Sequence, residues 1–236
     1  MIHTDLHSGS SEAPPSVRVA LTIVGMAFVF GALIFSSAGR LDWPRGWGYL
    51  GLLVFGVAIN WGCLLCWNPE LIERRLRIGE GTKSWDKIWA ALFAPSVAAI
   101  YVTSGFEARE GFSRLPWFAW PLGLVIFALG TAILTWSMVV NPFFEKTVRI
   151  QTDCGHRVID SGPYAWVRHP GYVGLTGWIV SVPLLLDSLW AFIPVLLAWC
   201  GILIRTSLED RTLRAELPGY SGYAGRVRYR VLPGVW

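Results

Sequence analysis

The chain has 236 residues, of which 53% are hydrophobic and only 15% charged, and its mean hydropathy is +0.47. That balance excludes an ordinary soluble domain of this length and points to a lipid environment. The net charge of +4 does not call for nucleic acid, because the basic residues flank apolar runs, where they suit an anionic lipid surface.

The polar start, MIHTDLHSGSSEAPPS, lacks a basic n-region leading into a short apolar run with a cleavage site, so no cleaved signal peptide is expected. A helix needs about 20 apolar residues to cross about 30 Å of hydrocarbon. Val19 to Ala38 and Gly46 to Pro69 carry no charge and read as two spans. Between the second and third spans lies NPELIERRLRIGEGTKSWDK, residues 68 to 87. Here Asn68 can cap a helix and Pro69 fits its first position. Leu71, Ile72, Leu76 and Ile78 would face lipid while Arg74, Arg75 and Arg77 snorkel, which makes either an anchoring surface helix or a wall of a substrate entrance.

Ile88 to Phe106 and Leu115 to Phe144 are again uncharged, the latter opening with Trp117 and Trp120 at headgroup depth. Pro170 to Ile204 contains one charge, Asp187, and folds most simply as two spans turning at Asp187 and Ser188. The first of these, Tyr172 to Leu186, is short for a full crossing. The fold class is therefore all-α, a multi-pass membrane bundle of five or six spans ending in a helical hairpin.

Loops rich in Lys and Arg stay in the cytoplasm. With both termini inside, 16 basic residues are cytoplasmic and four, Arg40, Arg45, Arg109 and Arg114, are not. The expected location is an integral membrane, either a bacterial inner membrane or the endoplasmic reticulum according to source. No repeat or long linker divides the chain, yet its halves differ. Residues 1–140 are nearly all span and short loop, and residues 141–236 hold most of the chemistry. Of four cysteines, Cys63, Cys66 and Cys200 fall within spans and only Cys154 in a loop, so neither a disulfide framework nor a zinc site is expected.

The stretch NPFFEKTVRIQTDCGHRVIDSGPYAWVRHPGY from Asn141 mixes charge, glycine and proline with β-like VRI and VID runs. A loop this long is usually functional, and its aromatic and branched residues argue against disorder. In SGPYAWVRHPGYVG, Arg168 and His169 precede a membrane helix beginning at Pro170, whose free amides suit an anion. An interfacial anchor of Tyr, Trp, Arg and His reads equally well. Arg205 and Glu209 lie i and i+4 on the last span as it leaves the membrane, either as a simple surface ion pair or as a working pair, since ionisable residues at a span's inner end are costly.

GHRVIDSGPYAWVRHPGYVG followed by RTSLEDRTLRAELPGYSGYAGRV resembles the C-terminal region of the isoprenylcysteine carboxyl methyltransferase family, itself similar to membrane phospholipid methyltransferases. The resemblance runs over about residues 141 to 236 and rests on H-x-x-x-x-x-G-x-Y-x-x-x-R-H-P-x-Y-x-G with a later R-x-x-x-E. It implies that S-adenosylmethionine binds in a pocket facing the cytoplasm, between the loop before the hairpin and the helix after it. His156, Arg157, Val158 and Ile159 would lie along the cofactor with Tyr164, His169, Pro170, Gly171 and Tyr172 around it. Glu209 would hold the cofactor, Arg205 would face the acceptor, and Gln151 is carried over more loosely. Arg205 and Glu209 are thus the implied catalytic pair, with no metal required.

The chain departs from the family pattern in having Asp210 beside Glu209 where a Glu-Glu pair is usual, and NPFF at 141 to 144 follows its polar motif only loosely. The implied acceptor is a lipophilic small molecule or lipidated substrate carrying a carboxylate. Direct displacement at a sulfonium methyl needs alignment and a dry site more than a strong base. A membrane reductase using NADPH, which shares an RHPxY-like segment, and a non-enzymatic scaffold are the competing readings.

Overall fold

The computed structural model describes residues 14–76, 81–112 and 114–236. Arg77 and Ile78 of the basic segment, and residues 1–13, lie outside them. Six apolar helices carry the architecture: α1 (Pro15–Ala38), α2 (Pro44–Trp67), α4 (Ser84–Glu110), α5 (Ala119–Val140), α6 (Pro170–Leu186) and α7 (Phe192–Glu216). Between α2 and α4 lies the short α3 (Pro69–Leu76), and α8 (Tyr220–Arg226) follows α7. Five of the six are long and apolar enough to cross a membrane, and α6, at 17 residues, is shorter. The chain is a multi-pass membrane protein, and the β-like runs near 148 and 158 form no strand among the described residues.

Proline at the first helical turn starts α1, α2 and α6, where its missing N–H costs nothing. Gly39 and Gly111 close α1 and α4 with φ of 64° and 69°, the left-handed conformation that glycine adopts freely. The hairpin turns where expected. Asp187, at φ 61°, caps α6; its Oδ1 accepts from the Leu115 amide at 2.7 Å and its Oδ2 pairs with Arg45 at 2.5 Å. Buried Glu107 accepts from the Ser188 hydroxyl and from the Leu189 and Trp190 amides just ahead of α7. One end of the bundle is thereby knit from three separate loops.

The tightest helix pair is α5 with α6, and its seam is glycine. A Cβ on Gly174 would stand 2.7 Å from the Gly130 carbonyl oxygen, and one on Gly130 2.9 Å from that of Gly174. Beside the seam, Trp178 stacks on Phe127 with centroids 5.7 Å apart and donates its indole N–H to Thr131 at 2.8 Å. Without a hydrophobic drive between helices in lipid, such close backbone approach supplies the packing.

The α3 segment corrects the sequence reading. Leu71 and Ile72 are fully buried in the core instead of facing lipid. Arg74 and Arg75 do not snorkel but donate to the carbonyls of Pro142 and Phe144. Asn68 does not cap α3 with its side chain, which donates to the Met138 carbonyl at 2.8 Å. The apolar stripe is real, but it turns toward protein because the loop after α5 offers carbonyls that the arginines can satisfy.

Candidate active site

At the basic end of the bundle, where α3, α4, α5, α6 and α7 meet the long loop, lies a cavity of about 440 Å³. That size lies within the range of small-molecule pockets. The loop that roofs it is folded by its own side chains. Asn141 Oδ1 accepts from the Phe143 amide at 2.9 Å, an Asx turn, while its amide nitrogen donates to the Tyr164 hydroxyl at 3.0 Å. Gln151 Nε2 donates to the Phe143 carbonyl at 2.8 Å, and the Gln151 amide donates to His156 Nδ1 at 3.3 Å. His156 then lies against the Phe143 ring with centroids 4.7 Å apart. NPFF is thus the hinge of the roof.

Eleven of the sequence-derived candidates line this cavity: Gln151, His156, Arg157, Val158, Ile159, Tyr164, His169, Gly171, Tyr172, Arg205 and Glu209. Pro170 does not; it is the first residue of α6 and turns the chain into the membrane. Gly171 is required by close approach, since a Cβ there would meet the Phe144 ring at 2.4 Å.

Arg205 and Glu209 share the cavity without forming the i, i+4 ion pair. Glu209 accepts a short hydrogen bond from the Tyr172 hydroxyl and stands 4.0 Å from His169 Nδ1. Arg205 turns the other way. Its Nε lies 2.8 Å from Asp86 Oδ1, its terminal nitrogen donates to the Lys146 carbonyl at 2.7 Å, and its guanidinium sits 4.2 Å over the Trp89 ring. Asp86 and Trp89 come from the start of α4, so the site is not confined to residues 141–236.

Arg168 is spent on structure. It donates to both oxygens of buried Asp210 and to the carbonyls of Val227 and Arg228. Asp210 also accepts from Arg214, Arg230 and Tyr220, and the amides of Arg168 and His169 donate to the carbonyls of Tyr229 and Arg230. This hub straps the tail beyond α8 onto the RHP turn and leaves Glu209, not Asp210, as the member of that acidic pair on the cavity wall, where Glu145 also stands, paired with Arg149.

Burial holds the His156 imidazole below its ordinary value, so its Nδ1 stays a neutral acceptor for the Gln151 amide near pH 7. Burial likewise pushes the Tyr164, Tyr220 and Tyr223 hydroxyls well up, which keeps them neutral. Salt bridging with Glu145 and Asp153 raises Arg149.

Which ligand groups the walls suit follows from unused atoms. Gln151 is 2% exposed and its Oε1 has no partner, and Glu209 adds a carboxylate on the same cavity. Both call for N–H or O–H donors or a positive centre on a ligand. Deeper, Trp89, Phe93, Leu134, Leu175 and Trp178 make an apolar wall within the helices.

The bundle of apolar helices thus carries, at one end, a cavity with a polar roof and an apolar floor. Residues 122–215 match the sequence model of the isoprenylcysteine carboxyl methyltransferase (ICMT) family. Protein-S-isoprenylcysteine O-methyltransferase of Mus musculus is 24% identical over 213 residues, covering 85% of this chain and 69% of that protein. The Homo sapiens protein of the same name is 24% identical, covering 86% and 68%. A probable one from Oryza sativa subsp. indica is 34% identical over 114 residues, covering 47% and 60%. A solved structure of the eukaryotic intramembrane Ras methyltransferase ICMT superposes with a TM-score of 0.52 at 17% identity, covering 93% of this chain and 84% of that one. Residues 122–215 are thus similar to the ICMT family, and the chain shares the fold of that solved structure. The likeness also reaches further than the motifs suggested, since the mammalian matches extend well into the first four spans.

Proposed function

We propose that the chain is an integral membrane methyltransferase that moves a methyl group from S-adenosylmethionine to the carboxylate of a lipophilic acceptor of the prenylcysteine type, forming a methyl ester. The carrying observation is the division of one cavity into a polar wall, with the unpartnered Gln151 Oε1 and the Glu209 carboxylate, and an apolar wall running into the bundle. The cavity end is read as the cytoplasmic one, because the segments that carry 16 of the 20 basic residues in the sequence are expected inside.

When bound, the donor supplies a methyl on a positive sulfonium, which a carboxylate oxygen can attack directly. This chain's residues provide the rest. Glu209, held by the Tyr172 hydroxyl, favours positive charge on its side of the cavity, and Gln151 Oε1 takes an N–H or O–H of the donor. His156, Val158 and Ile159 line the roof beside them. No residue has to remove a proton, because a carboxylate is already the nucleophile at neutral pH. Rate comes from alignment and water exclusion.

The test is calorimetric binding of S-adenosylmethionine, and separately NADPH, to the purified chain in detergent beside Glu209→Ala. The reading predicts S-adenosylmethionine binding that the variant weakens at least about tenfold, in line with loss of a charged hydrogen bond. Binding of NADPH alone would overturn it in favour of a reductase.

A further inference from the structure

Six cations line the cavity, and three are matched by carboxylates. Arg149 pairs with Glu145 and Asp153, Arg168 with Asp210, and Arg205 with Asp86. Of the other three, Arg157 is exposed, and Lys146 and Arg75 share one wall, with the Arg75 guanidinium the more enclosed. Arg75 is the one held in place. Among the described residues it has no carboxylate partner; it donates to the Phe144 carbonyl at 3.0 Å, its guanidinium lies 5.6 Å over the Phe144 ring, and its buried Nε is unpartnered. Lys146 lines the same wall, and Arg205 faces Arg75 closely enough to oppose its charge. Burial first, and then Arg205, pull the Arg75 guanidinium down to about 10, so at neutral pH it is still a cation. A half-buried cation pressed by a second cation and lacking a counter-ion is costly unless an anion settles beside it.

The position of Arg75 indicates which anion. In the 156–159 segment assigned to the donor, His156 rests on the Phe143 ring and Val158 packs with the Leu217, Tyr220 and Tyr223 cluster. Arg75 instead neighbours Phe144, Lys146 and Arg205, with Trp89 and the apolar floor beyond. Resting on the methyltransferase reading above, we propose that Arg75, flanked by Lys146, receives the carboxylate of the methyl acceptor, while Arg205, neutralised by Asp86, is a positioning residue.

The charge balance of the step fits this site. The acceptor's carboxylate oxygen forms the new O–CH3 bond as the CH3–S bond breaks, and that bond's electron pair returns to sulfur. A sulfonium and a carboxylate become a neutral thioether and a neutral ester. The ester no longer satisfies Arg75, which favours its departure. Arg75 thereby selects the acid over its product.

The experiment uses the full chain in detergent with S-adenosylmethionine as donor and a free N-acylated S-prenylcysteine as acceptor, with the acceptor's uncharged carboxamide as competitor. Wild type, Arg75→Gln and Arg75→Lys are compared. Arg75→Gln is expected to raise the acceptor KM about 10- to 100-fold, as loss of a charge-assisted pair implies. It should leave the donor Kd within about twofold and abolish the preference for acid over carboxamide, with Arg75→Lys restoring part of that preference. A weakened donor Kd with unchanged acceptor KM would reassign Arg75 to the donor's own carboxylate and overturn the proposal. A preserved acid-over-carboxamide preference would also overturn it, showing Arg75 to be structural. Failure of the wild type itself to transfer methyl would instead defeat the underlying methyltransferase reading, and this assignment with it.

Discussion

Arg205 and Asp86, 119 residues apart in sequence, form a buried pair with Nε and Oδ1 2.8 Å apart, and Asp86 Oδ2 also accepts from the Val148 amide at 2.7 Å. A single carboxylate from α4 therefore fixes both the arginine of the R-x-x-x-E motif and the loop that roofs the cavity.

Asp86→Ala should leave an uncompensated buried guanidinium and an orphaned amide. Breaking one partner of a buried pair costs about 3–5 kcal/mol. Thermal unfolding in detergent is expected to show a large drop in Tm, together with lost methyl transfer. A variant melting like wild type would mean that Arg205 finds another partner at no cost.

Asp210→Asn should loosen the tail. Asp210 is 1% exposed and carries Arg168, Arg214, Arg230 and Tyr220. The carboxamide keeps the shape but loses the charge that three guanidiniums share, at a cost of about 3 kcal/mol or more. Hydrogen exchange at the Arg168 and His169 amides, which now donate to Tyr229 and Arg230, should rise strongly.

Much of this was legible beforehand, and the reasons differ by region. The six helices follow from charge-free runs interrupted at Arg40, Asp187 and the basic loops, and the hairpin at Asp187 turns as its sequence implies. The walls at His156 and Glu209 follow from a motif with fixed spacing, and Gln151 follows from it only loosely. Asp86 and Trp89 did not follow, because they sit at the edge of a basic segment that reads as a membrane anchor or as a wall of a substrate entrance, and Arg75, within it, reads as a snorkelling residue. A signal was present: Asp86 stands at the inner end of an apolar run, the position that marked Arg205 as costly. Periodicity placed Leu71 and Ile72 on one face but could not distinguish lipid from protein as that face's partner.

His156 gives a pH dependence. Its folded-state value lies below the ordinary imidazole value of about 6.5 because burial disfavours the cation. As pH falls through about 6.5 the unfolded chain binds a proton there that the folded chain does not, so stability declines toward acid and is fully present above about pH 7. Melting curves from pH 8 to 5.5 should show this decline in wild type, and His156→Gln should remove that component.

Trp178 stands deepest on the α6 face of the cavity, about 10 Å of helix rise beyond Gly171, pinned by Thr131 and Phe127. Trp178→Ala should lengthen the apolar floor. Relative kcat/KM is expected to shift from shorter toward longer prenyl chains by about 5- to 10-fold, the scale of one or two buried methylenes. An unchanged chain-length profile would place the acceptor's tail elsewhere.

The most direct measurement is transfer itself: incubating the purified chain with methyl-labelled S-adenosylmethionine and a free N-acylated S-prenylcysteine, then extracting the lipid phase and treating it with base. The account predicts label in the lipid phase that base releases as methanol, as a methyl ester requires, and its loss with Glu209→Ala. Lipid label that resists base would place the methyl on nitrogen or carbon and contradict a carboxylate acceptor, and no transfer at all would contradict the methyltransferase reading.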